Sequence, residues 1–404
     1  MSQILSSEQL TAIANEFGTP LYVYHAEKIT EQYDKLQQAF TASNTRIFYA
    51  GKALTNINIL KHIRSLGCNV DCSSINEVYI ALRAGFEPGN ILYTSNGIAF
   101  DEIEAAVGLG VNVNIDSLSN LEKFGKRYGH SYPVGIRLRP NIMAGGNIKI
   151  STGHEKSKFG IPIEQLDTIL SIVKENDIFI AALHVHTGSE IKDVSVFMQV
   201  ANIFSDLVPH FPEVKFLDLG GGFKVPYKEG ESGTDMQLLG EKLAEILGRL
   251  KLAHARDFQV WFEPGKFMVS ESGYFITQVN VLKESGHTHF AGVNSGFNHL
   301  IRPMFYESYH RIQNISNPTG PEKHYAVVGN ICETDTFAWD RSLNEIREGD
   351  HLVFFNAGAY GFEMASNYNS RFKPAQVLVI NDQAHLISKR DVLEDLLRNQ
   401  IEVI

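Results

Sequence analysis

The feature that most constrains the fold is an eightfold alternation of short apolar runs and helical stretches between about residues 45 and 266. Each run ends in a small or polar residue, and most runs are followed by a segment with helical spacing. The runs are RIFYAGK, NVDCSS, ILYTSN, VNVNIDS, VGIRLRP, ALHVHTGS, FLDLGGG and VWFEPGK. Strands that alternate with helices predict parallel βα units.

Two architectures are built from such units, a closed (β/α)8 barrel of the TIM type and an open doubly wound sheet. Eight units and the polar residues at the strand ends favour the barrel, because its strand ends converge on one site. Three of the intervening helical stretches end at Gly67, Gly85 and Gly110, and glycine commonly follows the last residue of a helix.

The chain after about residue 271 has a different pattern, in which β-rich runs are separated only by short helical stretches. These runs are YFITQVNVLKES, HYAVVGN, HLVFFNAGAY and AQVLVIN. They predict a mostly antiparallel β-barrel or sandwich domain, which the N-terminal run GTPLYVYH can join as a strand. We therefore expect a barrel at residues 28–271, inserted between residues 1–27 and 272–404 of a β-rich domain.

Composition excludes several classes of protein. The 404 residues include 46 Asp and Glu against 36 Lys and Arg, and a net charge of −10 is unfavourable for nucleic acid binding. No apolar run approaches the roughly 18 residues of a membrane span. The N-terminus lacks the pattern of a secretory signal, and three cysteines without a CxxC pair indicate neither a disulfide framework nor a zinc site. We therefore expect a cytoplasmic protein without membrane or nucleic acid partners.

Two strand ends carry candidate groups whose roles depend on burial. Lys52 follows RIFYAG and is either a solvated surface lysine or, in a pocket, an amine that forms a Schiff base. The glycine triplet 220–222 is either a tight turn or a set of amides suited to phosphate. It has neither the dinucleotide-binding nor the Walker spacing, so those two kinds of site are poorly supported.

Two other strand ends carry a histidine pair and a carboxylate. His184 and His186 lie on the same face of a strand, where they could bind zinc, pack as core residues, or stack on an aromatic cofactor. Ser189 could then supply a hydroxyl to phosphate. Glu263 follows an apolar run and is either a surface group or a partly buried carboxylate that needs a partner, such as a protonated ring nitrogen. Together these groups match the needs of a pyridoxal phosphate site.

The chain resembles the group IV decarboxylases, which bind pyridoxal 5'-phosphate in an alanine-racemase-like barrel, and most closely the branch that acts on diaminopimelate. The resemblance extends from YAGK to the end of the second domain. It is carried by the blocks TGHEKSKFGI at 152–161, GFNHLIRPMFYESYH at 296–310, CET at 332–334 and GAYGFEMASNYNSR at 358–371.

The resemblance implies a role for each matching residue. It implies that Lys52, Cys332 and His186 are catalytic, with Lys52 bonded to the cofactor and His186 stacked on its ring. Glu263 would hold the pyridine nitrogen. The phosphate would be held by Ser189, Gly221, Gly222 and Tyr360. The substrate would be bound by Lys266, Arg302, Tyr306, Glu333 and Tyr360.

The resemblance also implies an assembly and a reaction. Cys332 and Glu333 would reach into the site of a partner protomer, so a homodimer with shared active sites is expected. The reaction would be the decarboxylation of meso-2,6-diaminopimelate to L-lysine and CO2. Arg302, unless it forms a surface salt bridge, is the candidate for the distal carboxylate of this small amino-acid substrate, and Glu333 is the candidate for the distal amine.

Several alternatives stay open at the level of sequence. The substrate could be ornithine, arginine or a carboxylated polyamine such as carboxynorspermidine, and the protein could be a non-catalytic pyridoxal phosphate carrier or a racemase. Either Cys332 or Lys52 could supply the proton that replaces CO2. The chain also has EPGK where the family usually has EPGR, so Lys266 replaces an arginine and lacks its bidentate fork.

Overall fold

The computed structural model describes residues 5–142, 153 and 157–404. It contains two compact units. The first, called the barrel unit below, consists of Gln32–Val225 and Ser232–Met268. The second, called the sheet unit, consists of the chain up to Glu31, the segment Pro226–Glu231, and Val269–Ile404. The domain boundaries expected from the sequence, residues 28 and 271, stay a prediction.

Strands make up much of both units. Within the described residues they are β1 (Leu21–His25), β2 (Thr45–Ala50), β3 (Asn69–Cys72), β4 (Ile91–Thr94), β5 (Asn112–Ile115), β6 (Val134–Arg139), β7 (Ile161–Pro162), β8 (Ile180–His184), β9 (Phe216–Asp218), β10 (Gln259–Phe262), β11 (Gly273–Ser285), β12 (Thr288–Val293), β13 (Ile312–Asn314), β14 (Glu322–Val328), β15 (Thr336–Asn344), β16 (His351–Phe354), β17 (Ala375–Ile380) and β18 (Gln383–Ser388).

The α-helices are most frequent between the strands of the barrel unit. They are α1 (Ser7–Phe17), α2 (Ala26–Ala39), α3 (Ile57–Ser65), α4 (Ile75–Arg83), α5 (Phe100–Gly108), α6 (Leu118–Tyr128), α7 (Leu166–Glu175), α8 (Val194–Leu207), α9 (Met236–His254), α10 (Lys266–Val269), α11 (Arg302–Tyr306) and α12 (Leu393–Leu397). In the part of the chain that the structure describes, none of the helices has the length and apolar character needed to cross a lipid bilayer.

The barrel unit is a closed parallel barrel of eight strands. The strands follow the order β5-β4-β3-β2-β10-β9-β8-β6, and a further pairing of β5 with β6 closes the ring. All of these neighbours are parallel. The eight apolar runs of the sequence are these eight strands, so the predicted (β/α)8 architecture is confirmed and the open sheet is excluded.

Local sequence signals set the ends of several barrel helices. The Ser74 side chain accepts a hydrogen bond from the backbone N–H of Glu77 at 3.2 Å and thereby caps the start of α4. Gly67, Gly85 and Gly110 follow α3, α4 and α5 at φ values of 84°, 92° and 76°. Glycine adopts this left-handed conformation at little steric cost, so it ends the helix and turns the chain towards the next strand.

The sheet unit is a mixed sheet of nine strands in which most pairings are antiparallel. The main path is β15-β14-β12-β11-β1-β17-β18, and β16 pairs with both β11 and β13. The N-terminal strand β1 lies between β11, to which it is antiparallel, and β17, to which it is parallel. The sequence-based assignment of GTPLYVYH to this mostly antiparallel domain is therefore confirmed.

A continuous apolar core holds the N-terminal segment in the sheet unit. Leu21 and Val23 of β1 pack with Ile276 of β11 and Val377 of β17, and all four side chains are fully buried. Burying an aliphatic side chain of this size contributes about 1.5–3 kcal/mol. The N-terminal strand is thus an interior strand of this unit.

Candidate active site

The candidate groups of the barrel unit lie where its parallel strands end. Lys52 follows β2, His184 is the last residue of β8, and Glu263 follows β10 directly. The glycine triplet 220–222 comes shortly after β9. Because all eight strands run in the same direction, these groups meet at the carboxyl-terminal end of the barrel, where TIM barrels place their active sites.

Lys52 forms an ion pair with a buried carboxylate. Its Nζ atom lies 2.6 Å from Oδ2 of Asp71, whose side chain is fully buried in β3, while 42% of the Lys52 side chain is exposed. Burial and the negative charge of Glu263 raise the pKa of Asp71 to about 7, although Lys52 acts in the opposite direction. The pair therefore places a reactive amine at a water-accessible position beside a group that titrates near neutral pH.

Glu263 is a buried carboxylate with an unused hydrogen-bonding atom. Its Oε2 atom lies 3.5 Å from Nε2 of His184, and its Oε1 atom has no hydrogen-bond partner among the described residues. Burial alone would raise the pKa of Glu263, but His184 and Lys52 outweigh burial and lower it. An ionised carboxylate with a free oxygen in a buried site is suited to a ligand that brings an N–H donor.

A second buried acid and a buried guanidinium complete the charges around Glu263. Burial and the charge of Glu263 raise the pKa of Asp218, whose Oδ1 atom accepts a hydrogen bond from the Gly220 N–H at 2.9 Å. Arg137 of β6 is also buried, and burial lowers its pKa. Its positive charge stabilises the ionised form of Glu263 in a region from which water is largely excluded.

His186 is held as a neutral ring beside the glycine triplet. Burial and the nearby Arg137 lower the pKa of His186 to about 3, so the imidazole is uncharged at neutral pH. Its Nδ1 atom accepts a hydrogen bond from the Gly221 N–H at 3.2 Å. A neutral, oriented imidazole can stack on the face of an aromatic ligand.

Ligand atoms of His184, Asp218 and Glu263 lie within 4.8 Å of one another, which is close enough to consider a metal ion. A structural zinc site almost always has four ligands, and Arg137 already supplies positive charge to these carboxylates. The expectation of a site without metal stays a prediction.

The glycine triplet has room for backbone only. A Cβ atom on Gly221 would lie 2.2 Å from the carbonyl oxygen of Glu263, and one on Gly222 would lie 2.0 Å from the carbonyl oxygen of Gly188. Gly222 also has a φ of 93°, and its carbonyl accepts a hydrogen bond from the Ile191 N–H at 2.9 Å. The turn that carries Ser189 therefore packs directly on the triplet.

Residues 26–270 match the family model described as pyridoxal-dependent decarboxylase, pyridoxal binding domain. The chain belongs to this decarboxylase family. Diaminopimelate decarboxylase of Methanothermobacter thermautotrophicus is 37% identical over 415 residues, which cover 98% of this chain and 95% of the relative. The protein of the same name from Archaeoglobus fulgidus is 36% identical over 403 residues, with 97% and 95% covered.

Solved structures of the decarboxylase family share the whole fold. Diaminopimelate decarboxylase of Helicobacter pylori, crystallised in complex with L-lysine, matches with a TM-score of 0.88 and 32% identity over 96% of this chain and 98% of that one. A further diaminopimelate decarboxylase structure gives a TM-score of 0.90 at 33% identity, with 97% and 96% covered. The resemblance expected from the sequence is confirmed.

The barrel site of this decarboxylase fits the family cofactor, pyridoxal phosphate. The unpartnered Oε1 atom of Glu263 suits the N–H of a protonated pyridine ring. The glycine triplet stays the predicted phosphate site, and the Lys52 amine suits the aldehyde. The individual roles of these residues stay predictions.

Lys266, the residue that distinguishes EPGK from the usual family motif, has a partner inside the barrel unit. Its Nζ atom forms a short ion pair with the Glu190 carboxylate, and the two side chains are only 8% and 22% exposed. Glu190 directly follows Ser189 and has a φ of 63°. The expected contact of Lys266 with substrate stays a prediction, and Glu190 is the carboxylate with which a substrate would compete.

In the sheet unit of this decarboxylase, Arg302 is a buried cation that has no carboxylate partner among the described residues. It begins α11, is 5% exposed, and donates from Nη2 to the Ser308 hydroxyl at 3.3 Å. Its Nε atom has no hydrogen-bond partner among the described residues. Its guanidinium lies 5.8 Å from the ring centroid of Tyr306, the last residue of α11. The structure therefore brings these two predicted substrate-binding residues together.

Cys332 and Glu333 contact one of the family-like sequence blocks. The Asn369 amide donates to the exposed Cys332 Sγ atom at 3.1 Å, and the Tyr368 hydroxyl donates to Glu333 Oε1 at 2.5 Å. Tyr360 belongs to the same block as Tyr368 and has a φ of 55°. Two blocks that resemble the family in sequence are thus joined by side-chain hydrogen bonds within the sheet unit.

Five residues that the structure brings to these groups were not predicted from the sequence. Three of them are charged residues within short, mostly apolar strands, a pattern that indicates the interior of a barrel. They are Asp71, Arg137 and Asp218. Glu190 and Tyr227 had no comparable local signal. Of the block TGHEKSKFGI, residues 152 and 154–156 lie outside the described residues.

Proposed function

We propose that this protein decarboxylates meso-2,6-diaminopimelate to L-lysine and CO2, the last step of lysine biosynthesis. The observation that carries the choice of substrate is the buried Arg302 guanidinium, which has no ion-pair partner among the described residues. A buried charge is normally paired. The full-length similarity to proteins named diaminopimelate decarboxylase supports the same choice.

The chain's own residues bind the cofactor and handle protons. Pyridoxal phosphate, when bound, supplies an electron sink for the electron pair that remains when CO2 leaves. Lys52 Nζ would hold the aldehyde end of the cofactor, and it forms an ion pair with Asp71 Oδ2. Glu263 Oε1 would hold the ring N–H, and the lowered pKa of Glu263 keeps this carboxylate ionised. His186 supplies a neutral stacking surface.

Arg302 selects substrates by the charge at their distal end. Diaminopimelate carries a second amino acid group there, so its distal carboxylate can form a bidentate ion pair with the guanidinium. Ornithine, arginine and carboxynorspermidine present a cation at that end, and a like charge beside a buried guanidinium costs several kcal/mol. Lys266, Tyr306, Glu333 and Tyr360 complete the set proposed to contact the substrate. Glu333 binds the distal amine.

We further propose a cytoplasmic homodimer in which residues 28–271 bind the cofactor and residues 1–27 and 272–404 form the second domain. Cys332 and Glu333 of one protomer act in the site of the other, as in the family resemblance. Cys332 and Glu333 lie beside Asn369 and Tyr368, two exposed residues of the same unit. This exposure supports a loop that is accessible to a partner protomer. In this arrangement Cys332 or Lys52 supplies the proton that replaces CO2.

A substrate panel tests the proposal. Purified protein with added pyridoxal phosphate is assayed for CO2 release from meso-diaminopimelate, L-ornithine, L-arginine, L-lysine and carboxynorspermidine. We expect kcat/KM for diaminopimelate to exceed the others by at least about 100-fold, which corresponds to roughly 2.8 kcal/mol of selectivity. Arg302→Ala should remove most of this preference, while Arg302→Lys retains part of it.

Each alternative function predicts a different result of the same assay. A higher kcat/KM for ornithine, arginine or carboxynorspermidine would replace the proposed substrate. Cofactor binding without CO2 release from any compound would indicate a carrier, and interconversion of diaminopimelate stereoisomers without CO2 release would indicate a racemase.

A further inference from the structure

The segment Pro226–Glu231 follows the glycine turn of the barrel unit in sequence but belongs to the sheet unit. The Asn356 amide donates to the carbonyl of Pro226 at 2.8 Å. The hydroxyls of Tyr227 and Ser270 are 2.8 Å apart. The Lys228 ammonium lies 5.4 Å from the ring centroid of Tyr309. Three successive residues of the segment are thus fixed by the sheet unit.

Tyr227 places its ring beside the buried Arg302 guanidinium described above. The guanidinium carbon of Arg302 lies 5.8 Å from the ring centroid of Tyr227, the same distance as from Tyr306. Two aromatic faces, each with negative charge density, therefore flank a cation that has no carboxylate partner in the described part of the chain. Both rings stabilise the buried charge without bringing a negative group of their own.

The orientation of the Tyr227 ring does not depend on Arg302. In addition to the hydroxyl contact with Ser270, the ring meets His310 edge to face, with centroids 5.6 Å apart and an interplanar angle of 85°. The backbone N–H of Tyr227 donates to Glu231 Oε2 at 3.0 Å. The aromatic face is therefore fixed before any ligand binds, and the cost of ordering it is paid during folding.

We propose that Tyr227 is a positioning residue for substrate selection: its ring holds the Arg302 guanidinium in place and leaves it available for the distal carboxylate of the ligand. This inference rests on the proposed function. A carboxylate side chain at position 227 would stabilise Arg302 as well, but it would compete with the ligand for the same guanidinium. An aromatic ring avoids this competition, because it brings no carboxylate of its own to the guanidinium.

Binding of two amines to the cofactor-loaded enzyme tests the inference. L-lysine carries a carboxylate that cadaverine lacks, and the two compounds are otherwise identical in chain length and terminal amine. Inhibition constants against meso-diaminopimelate give the preference of each variant for the carboxylate. We expect Tyr227→Leu to weaken binding of L-lysine roughly tenfold and to leave binding of cadaverine within about twofold.

Two further variants separate the aromatic face from other effects. Tyr227→Phe keeps the ring and removes the hydroxyl contact with Ser270, so it should retain the preference for L-lysine. Lys228→Met removes a cation–ring contact from the same segment without touching Arg302, so it should also retain the preference. Thermal melting of all variants identifies any that fold poorly. If Tyr227→Leu folds poorly, the inference is tested by comparing Tyr227→Phe and Lys228→Met with the wild type.

The possible results distinguish this inference from the proposed function. Equal weakening of both amines by Tyr227→Leu would assign the residue a structural role and overturn the inference. Loss of the preference in Tyr227→Phe would overturn it as well, because the hydroxyl rather than the ring would then be responsible. If the wild-type enzyme releases no CO2 from meso-diaminopimelate, the proposed function fails, whatever the binding constants of the variants.

Discussion

Lys52 and Asp71 form an ion pair of 2.6 Å in which the amine is partly exposed and the carboxylate is fully buried. The two residues come from neighbouring parallel strands, since Lys52 follows β2 and Asp71 lies in β3. Asp71 is therefore a buried partner that orients the Lys52 amine.

Asp71→Asn should lower kcat about 10-fold or more, because acid–base groups contribute roughly 10²–10⁴-fold to such reactions. In the wild type, Asp71 gains a proton as pH falls through about 7, so its hold on the ammonium is lost and activity should decline. This decline of kcat at acidic pH, the acid limb of the profile, should be weaker in the variant. The pH dependence of kcat from pH 5 to 9 is the measurement.

A surface ion pair provides the control for this variant. Glu122→Gln breaks the exposed pair of Glu122 and Lys126, which solvent screens and which lies outside the barrel site, so kcat should not change. An Asp71→Asn enzyme with the kcat and acid limb of the wild type would show that the ion pair has no catalytic role.

Glu263→Gln should weaken cofactor binding and lower kcat by roughly 100-fold, because a neutral amide cannot stabilise a protonated ring nitrogen. Glu263→Asp, which keeps the negative charge, should show a smaller loss of cofactor affinity and of kcat. A titration followed by the visible absorbance of the bound cofactor gives the cofactor affinity. The steady-state rate gives kcat. Cofactor affinity and turnover at wild-type level in the Gln variant would refute the assignment of Glu263.

Lys266 and Glu190 should be strongly coupled, because breaking a largely buried pair leaves one charge uncompensated. Glu190→Gln alone should destabilise the barrel unit by about 3–5 kcal/mol. Adding Lys266→Met should recover most of this loss, since the second charge is then removed as well. Urea unfolding of the single and double variants gives the coupling energy.

Additive effects in that cycle would mean that the pair contributes no coupling to stability. Lys266→Arg restores the motif that the family usually has, and KM for diaminopimelate in this variant tests the predicted substrate contact. An unchanged KM would leave Lys266 with a role in the ion pair alone.

His299 makes the sheet unit sensitive to acid. Burial and the positive charge of Arg390 lower the pKa of His299 from 6.5 to about 4, so the unfolded chain binds a proton that the folded state does not. The contribution of neutral His299 to the free energy of unfolding is therefore fully present above pH 6.5, and it is lost as the pH falls towards 4. At pH 5 the loss should be about 2 kcal/mol, at 1.36 kcal/mol per pH unit.

Comparing urea unfolding midpoints at pH 7 and pH 5 checks this prediction. His299→Gln should show a smaller decline than the wild type between these pH values. His324→Gln alters an exposed histidine and should follow the wild type. The same decline in all three proteins would show that His299 does not contribute to acid sensitivity.

The sequence was sufficient to predict the architecture because the relevant signals are local. The barrel strands are short apolar runs, and the positions of Lys52 and Glu263 follow from the direction of those runs. The N-terminal strand could also be assigned to the second domain, because its alternative was a terminal segment without a partner strand.

The partners of the site residues could not be predicted in the same way. The pairs Lys266–Glu190 and Arg302–Tyr227 are each about 75 residues apart in sequence, and no spacing rule joins them. The assignment of Tyr227 to the sheet unit depends on a short segment that interrupts the barrel sequence. Asp71 could have been predicted from the sequence as a paired residue, because a lone acid in an apolar strand needs a cation nearby.

The central claim is that this chain removes CO2 from meso-diaminopimelate and replaces it with a proton. The most direct test is mass spectrometry of the product after turnover of the cofactor-loaded enzyme in D2O. The account predicts L-lysine with one carbon-bound deuterium and one CO2 per molecule. Deuterated diaminopimelate without CO2 or lysine would contradict it.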